Sequence, residues 1–282
     1  MQANSTAPLR IRYLLLSATV GASDLKDEGE AVAEKENLSF AISVILNSAA
    51  PTLRALAIHN VSLLPPLGKP LATAPFPHLT HLSVPHFYPS FAADAALPSL
   101  RALHISQCAY RLDPRSYADF EFGALLAEGA PRLTYLRLSG LLESYTVLQF
   151  LRMHLGVPFT AASWHSDYFL EHDELHAYVE GSPEAARAAA HSAQLNELRH
   201  IVVQPGIPRD DDDAEFECTY GAWEHYEMLA GLQDIAKDHA RGVGIGELRL
   251  LAESAEYTFD EVRRDWEDVI RGGDGPWAME TE

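Results

Sequence analysis

A chain of 282 residues that is 47% hydrophobic can bury a sizeable core, while a formal charge of -19 and an isoelectric point near 5.0 exclude nucleic acid and acidic membrane surfaces as partners, because phosphate is held by an excess of Lys and Arg. No apolar run reaches the roughly 18 residues of a membrane helix. The two cysteines, Cys108 and Cys218, give no disulfide framework and indicate a reducing compartment, cytoplasm or nucleus.

In chain order, Ile11-x-x-Leu14-x-Leu16 predicts a first strand over about 9–18, with Tyr13, Leu15 and Ser17 on its other face. A polar loop over 21–30 follows, then a helix over 36–49 that places Leu38, Ala41, Val44 and Ile45 on one side. The strand phrase then recurs as Leu53, Leu56, Ile58; as Leu79, Leu82, Val84; as Leu100, Leu103, Ile105; and as Leu133, Leu136, Leu138. Pro65, Pro66 and Pro70 leave only an extended return between the second and third strands.

Helical spacing appears over 116–129, with Phe120, Leu125 and Leu126 inward, and over 143–155, with Val147, Leu148, Leu151 and Leu155. The pattern is lost over 158–182, and Ser182 with Pro183 then opens an alanine-rich helix running to Leu198. Leu198, Ile201 and Val203 restore the strand phrase, and Asp210 to Asp213 form a solvated loop. A helix carries Trp223, Tyr226, Leu229, Leu232 and Ile235, a last strand covers about 248–252, and Thr258-x-x-Glu261 is a capping box for a helix bearing Phe259, Val262, Trp266 and Ile270.

A strand phrase repeated at such spacings implies stacked units that bury their apolar alternates against one another. The expected fold is α/β: a leucine-rich-repeat-like solenoid with a parallel sheet over 1–206, and over 207–282 an acidic loop, a final strand and a helical C-terminal cap that closes an open end of the same domain. Residues 209–282 hold 21 acidic against 7 basic side chains, and residues 50–160 hold 6 against 8, so the acidity belongs to the C-terminal part.

The repeats, together with Leu198-Arg-His-Ile-Val-Val-Gln-Pro-Gly, Cys218 and Thr219, Tyr226-x-Met228-x-x-Gly231-Leu, Tyr257-Thr-Phe-Asp-Glu, Asp265-Trp266 and Gly272-Gly273-Asp274-Gly275-Pro276-Trp277, resemble the leucine-rich-repeat region of basidiomycete fungal F-box-like proteins. The resemblance implies recruitment of a substrate protein to a ubiquitin ligase, with a Skp1-like adaptor joined only through an F-box upstream of the repeats. The chain opens almost directly on a strand, so the F-box itself is expected to be absent from it.

Motifs that could carry chemistry give way to structural readings. His172 and His176 stand at i and i+4 as in a zinc-binding helix, with His165 nearby, but the general-base position holds Asp173 and the flanking Pro158 and Ser182 leave little room for a long helix; a zinc-dependent hydrolase is the lesser alternative. Gly242-x-Gly244-x-Gly246 lies between a helix and a strand, the reverse of the nucleotide-binding order, and reads as a turn. Cys108 sits where a leucine-rich repeat places Asn or Cys to bond a turn. No catalytic residue, metal or cofactor is expected.

Side chains alternate along a strand, so residues between the leucines face away from the core. One row holds His81, Ala102, Tyr135 and His200, the next Ser83, His104, Arg137 and Val202, and a third His59, Ser106, Ser139 and Gln204. These rows are expected to line an exposed face that binds a protein partner through His59, His81, Ser83, His104, Tyr135, Arg137, His200 and Gln204. The net charge favours a basic or weakly charged partner, and the chain is expected to be a monomer.

Overall fold

The structure, a computed structural model, describes residues 10–17, 28–59, 75–85, 97–106, 121–142, 145–157, 195–207, 218–242, 246–254 and 257–278. Successive strands are entered through one recurring turn. In Phe76-Pro77-His78-Leu79, Leu97-Pro98-Ser99-Leu100 and Ala130-Pro131-Arg132-Leu133 the N–H of the fourth residue donates to the carbonyl of the first at 3.3, 3.0 and 3.0 Å, and Leu195-Asn196-Glu197-Leu198 repeats this at 3.0 Å. Proline in second place pre-sets the φ that such a turn requires. The first and fourth residues of each turn are buried, so the turn also pins two apolar anchors in the core.

The residue after each turn stitches its unit to the one before. Arg54 donates its N–H to the Arg12 carbonyl, Thr80 to Arg54, Arg101 to Thr80, Thr134 to Arg101, and Arg199 to Thr134, all at 2.7–3.0 Å. From there β1 (Tyr13–Ser17), β2 (Ala55–His59), β3 (His81–Pro85), β4 (Ala102–Ser106), β5 (Tyr135–Leu141), β6 (His200–Pro205) and β7 (Glu247–Leu250) form a seven-stranded sheet in sequence order, every neighbour parallel.

The register aligns Leu14, Leu56, Leu82, Leu103, Leu136, Ile201 and Leu248 in one row pointing to the core. Each fully buried leucine of this row contributes about 1.5–3 kcal/mol. The row is sealed in the middle of the sheet and only partly buried at Leu14 and Leu248, its two ends.

Among the described residues four helices cover the leucine face: α1 (Glu28–Ala49), α2 (Glu121–Gly129), α3 (Tyr145–Leu155) and α4 (Cys218–Ala240). In α3 the expected Val147, Leu148, Leu151 and Leu155 are all buried. The expected side of α1 is corrected: Leu38, Ile42, Leu46 and Ala49 pack on the sheet, whereas Ala41, Val44 and Ile45 are exposed and Phe40 is 72% exposed. Apolar residues occupy both sides of this helix, and the helix also begins at Glu28 within what reads as a polar loop. In α4 the buried stripe is His225, Met228, Leu232 and Ile235, which leaves Tyr226 67% exposed. Helix α4 sits tightly on α3, for a Cβ at Gly231 would stand 3.0 Å from Leu148 Cδ1. The helix expected from Ser182, the Pro65–Pro70 return and Cys108 lie outside the described residues.

The last helix, α5 (Phe259–Arg271), begins as expected: the Thr258 side chain accepts from the Glu261 N–H, and Glu261 reaches back to the Thr258 N–H. Gly272 ends it with φ 91°, and a 3-10 turn, Gly275–Trp277, follows. Its position corrects the expectation of an end cap. Helix α5 and the turn lie across the face of the sheet opposite α1–α4, where Val269 and Trp277 form a second apolar cluster with Ala55 and Ala102, flanked by Tyr135 and Trp266.

Candidate functional site

The register aligns two of the rows expected on the outward face and part of the third. His81, Ala102, Tyr135 and His200 are successive partners, as are Ser83, His104, Arg137 and Val202, and Ser139 pairs with Gln204. Their exposure is not as expected. His59 and Ser83 are buried and His104 is 0% exposed, while His81, Tyr135, Arg137, His200 and Gln204 are half-buried. The cause is the C-terminal strap, residues 257–278, which leaves the β7 edge, crosses to β1 and folds back to β5.

Its path is marked by contacts. The Tyr257 ring stands edge-on to His104, Phe259 lies against His59, Trp266 meets Tyr13, and Trp277 lies 5.4 Å from the His81 ring. The Trp277 indole Nε1–H donates to the Leu103 carbonyl at 3.0 Å, and Arg137 Nη1 donates to the Pro276 carbonyl at 2.6 Å. Between strap and sheet is a cavity of about 20 Å³ lined mainly by Leu56, Ala57, Tyr257, Trp266 and Val269.

Beneath the strap is a polar network. His104 is bonded through Nδ1 to Ser83 Oγ at 3.2 Å and through Nε2 to Ser139 Oγ at 3.0 Å, and Arg137 Nε donates to the same Ser139 Oγ at 3.1 Å. Each hydroxyl can give or take a proton, so a neutral imidazole satisfies both nitrogens. Burial, reinforced by the Arg137 charge, holds the His104 pKa well below that of an exposed histidine. Burial also lowers His81, against the opposing pull of Asp274. Tyr257 donates to Asp265 Oδ2 at 2.5 Å, and burial together with that carboxylate raises its pKa far above the usual phenol.

Toward β7 the face is open. Tyr135 stacks on His200 with centroids 4.5 Å apart and planes at 12°, His200 Nδ1 is 3.1 Å from Glu247 Oε2, and Arg137 Nη2 donates to Gln204 Oε1 at 3.2 Å. This half continues into a rim that the sequence reading missed. Arg12, Arg54, Arg101 and Arg199 each precede a strand and, with Arg132, are exposed and without a side-chain hydrogen bond or ion pair among the described residues. Parallel strands are about 4.8 Å apart, so Arg54, Arg101 and Arg199, on every second strand, repeat at about 10 Å. The signal was available as an Arg directly after the first apolar residue of the strand phrase, as in Leu53-Arg54, Leu100-Arg101 and Leu198-Arg199.

Other candidates resolve simply. Gly242 and Gly246, with φ of 81° and 80°, stand between α4 and β7, and Gly244 lies outside the described residues. His165, His172 and His176 lie outside the described residues, among which no cluster of three or more His, Cys, Asp or Glu could hold a metal ion. Among the described residues no helix is long and apolar enough to cross a membrane. A residue the sequence reading passed over is His225, a buried imidazole that joins α4 to the Leu142 carbonyl at 2.8 Å and to Glu253 Oε1 at 3.1 Å. No family model, no curated protein and no solved structure matches the chain.

Proposed function

We propose that the chain is a non-catalytic protein-recognition module, a leucine-rich-repeat-like solenoid that presents the outward face of its sheet and the arginine rim to a protein partner. The observation that carries this reading is the alternation on the strands. Parallel strands buried on both faces are apolar on both. Here Leu, Ile and Val point to α1–α4, while the opposite face carries His81, Ser83, His104, Arg137, His200, Gln204 and Arg249. A sheet built this way is suited to a polar contact on one side, as repeat proteins use theirs.

The finer reading follows the resemblance: the module recruits the substrate of an F-box-type ubiquitin ligase in the cytoplasm or nucleus, and a Skp1-like adaptor joins through an F-box outside this chain. The alternative is a stand-alone binder with no ligase link. The local charge of the rim points to acidic side chains on the partner, despite the negative charge of the whole chain.

The test is site-specific photo-crosslinking in cells of the source, with the crosslinker at Tyr135 or His200 and a control at exposed Phe40. The expected result is one recurrent protein captured from the sheet face and not from Phe40, with capture reduced by Arg199→Glu. Co-purification of a Skp1-like adaptor with the longest transcript product, and ubiquitination of the captured protein, selects the ligase form. Capture that is the same from Phe40 as from the sheet face would overturn the assignment of the surface.

A further inference from the structure

The strands and the strap make opposite statements about one face. The strand sequences are those of a sheet with a polar outer face, yet over β2–β5 that face is closed by the chain itself. Much of the polar network beneath is satisfied within the floor: Ser83, His104, Ser139 and Arg137 bond one another, and Arg137 also bonds Gln204. Among the described residues two hydrogen bonds cross, Trp277 to the Leu103 carbonyl and Arg137 to the Pro276 carbonyl, and water can replace the strap in both. The apolar part of the contact is small, centred on Val269 and Trp277 over Ala55 and Ala102. Such a contact has the anatomy of an interface, an anchor tryptophan and a few apolar side chains on a polar floor, rather than that of a core layer.

We infer that the sheet face over β2–β5 is a binding site whose resident occupant is the segment Tyr257–Trp277, and that it accepts in exchange a partner segment of the same kind, an acidic amphipathic helix followed by a tight turn presenting a tryptophan. This rests on the protein-recognition reading above and says where and what the module recognises. The chemistry is complementary as well: Arg137 is a cation of the floor and the neutral imidazoles offer ring faces, while Asp265 and Asp274 lie on the strap side. The strap is tethered, so its effective concentration is high and the site opens to a competitor only in the fraction of molecules where the strap is undocked.

The experiment uses the full chain and, as probe, a fluorescein-labelled peptide of residues 255–280, followed by anisotropy. Val269→Asp places a charge in the strap contact and raises the undocked fraction. The variant is expected to bind the peptide at least about tenfold more tightly than the unaltered chain, and to lose that binding when the peptide carries Trp277→Ala or the chain also carries Arg137→Ala. A Val269→Asp chain that keeps its native circular dichroism and binds no better than the parent overturns the inference.

Where that variant does not fold, native-state hydrogen exchange on the unaltered chain decides. Amides of residues 262–271 that open at lower free energy than those of Leu103 and Leu136 support a removable occupant, and equal protection overturns it. Peptide exchange without any crosslinked partner would defeat the recognition reading and not the occupancy of the face. A crosslinked partner without peptide exchange would defeat this inference alone.

Discussion

Trp277→Ala is the sharpest single perturbation of the strap. The indole is 4% exposed, lies 5.4 Å from the His81 ring and donates to the Leu103 carbonyl at 3.0 Å. Truncating a tryptophan in a sealed core costs about 3–5 kcal/mol, part of which is the cavity left behind. Trp277 lies over Ala55, Ala102 and the His81 ring at the outer face of the sheet, where the strap and solvent can close on the vacated space, so the cavity part is largely relieved. The transfer part and a hydrogen bond of about 1 kcal/mol remain, together about 3 kcal/mol. At 1.4 kcal/mol per factor of ten, the strap should undock about a hundredfold more often.

Trp277→Phe keeps most of the ring area and loses the donor, which is expected to cost about 1 kcal/mol. Native-state hydrogen exchange reads both variants: amides of α5 should exchange about a hundredfold faster in Trp277→Ala and under tenfold faster in Trp277→Phe, with Leu103 and Leu136 unchanged. The reasoning is refuted if strand and strap amides accelerate together, or if phenylalanine costs as much as alanine.

His225→Ala should lower global stability by about 2–4 kcal/mol in a urea melt, since it empties a buried site and strips the partner from the Leu142 carbonyl; a loss under about 0.5 kcal/mol would contradict the bridging role. Gly275→Ala should act on the strap as Trp277→Ala does, because φ there is 56° and a Cβ would meet Val269 Cγ2 at 2.4 Å and the Asp265 carbonyl at 2.9 Å; unchanged exchange in α5 would show that the turn relaxes at no cost. Closure should also depend on pH. His104 and His81 are held neutral under the strap with pKa values below 6.5, so the open state binds more protons once pH falls beneath that value. Closure is therefore at full strength above about pH 6.5 and weakens steadily below it, with Arg137 adding to the effect at His104 while Asp274 opposes it at His81. Undocking measured at about pH 7.5 and about pH 5.5 should differ, and His104→Gln should flatten the difference; docking that strengthens with acid would reverse the sign and sink the argument.

The strands were legible because a period of two leaves little choice: once Leu53, Leu56 and Ile58 are recognised as one phrase, the same triplet finds six of the seven strands and even their register. Helix sidedness was less so. In α1 the residues Phe40, Val44 and Ile45 compete with Ile42 and Leu46 for the inner side, and only packing on the Leu56 and Leu82 row decides between them. The strap shows a deeper limit. The capping box at Thr258 announces a helix and its apolar spacing announces a docked one, but amphipathicity states that a side is buried without stating against what. The run Gly272-Gly273-Asp274-Gly275-Pro276-Trp277 did hold a clue, since a glycine-rich reversal directly before a tryptophan turns the chain back toward whatever the helix is packed on.

Charge illustrates the same distinction between composition and placement. A total of -19 argues for a basic partner only where the acids face that partner. Arg12, Arg54, Arg101 and Arg199 stand at the strand entrances, whereas Asp265 and Asp274 belong to the strap. At physiological salt a charge is felt over about 8 Å, less than the length of a strand with its turn, so acids farther away than that hardly offset the arginines. A partner with acidic side chains would be repelled by the molecule at a distance and held by the rim at contact. On the proposed reading, recognition on this face is a matter of short-range geometry, and the acidic, tryptophan-bearing strap is the template for the segment the floor is proposed to accept.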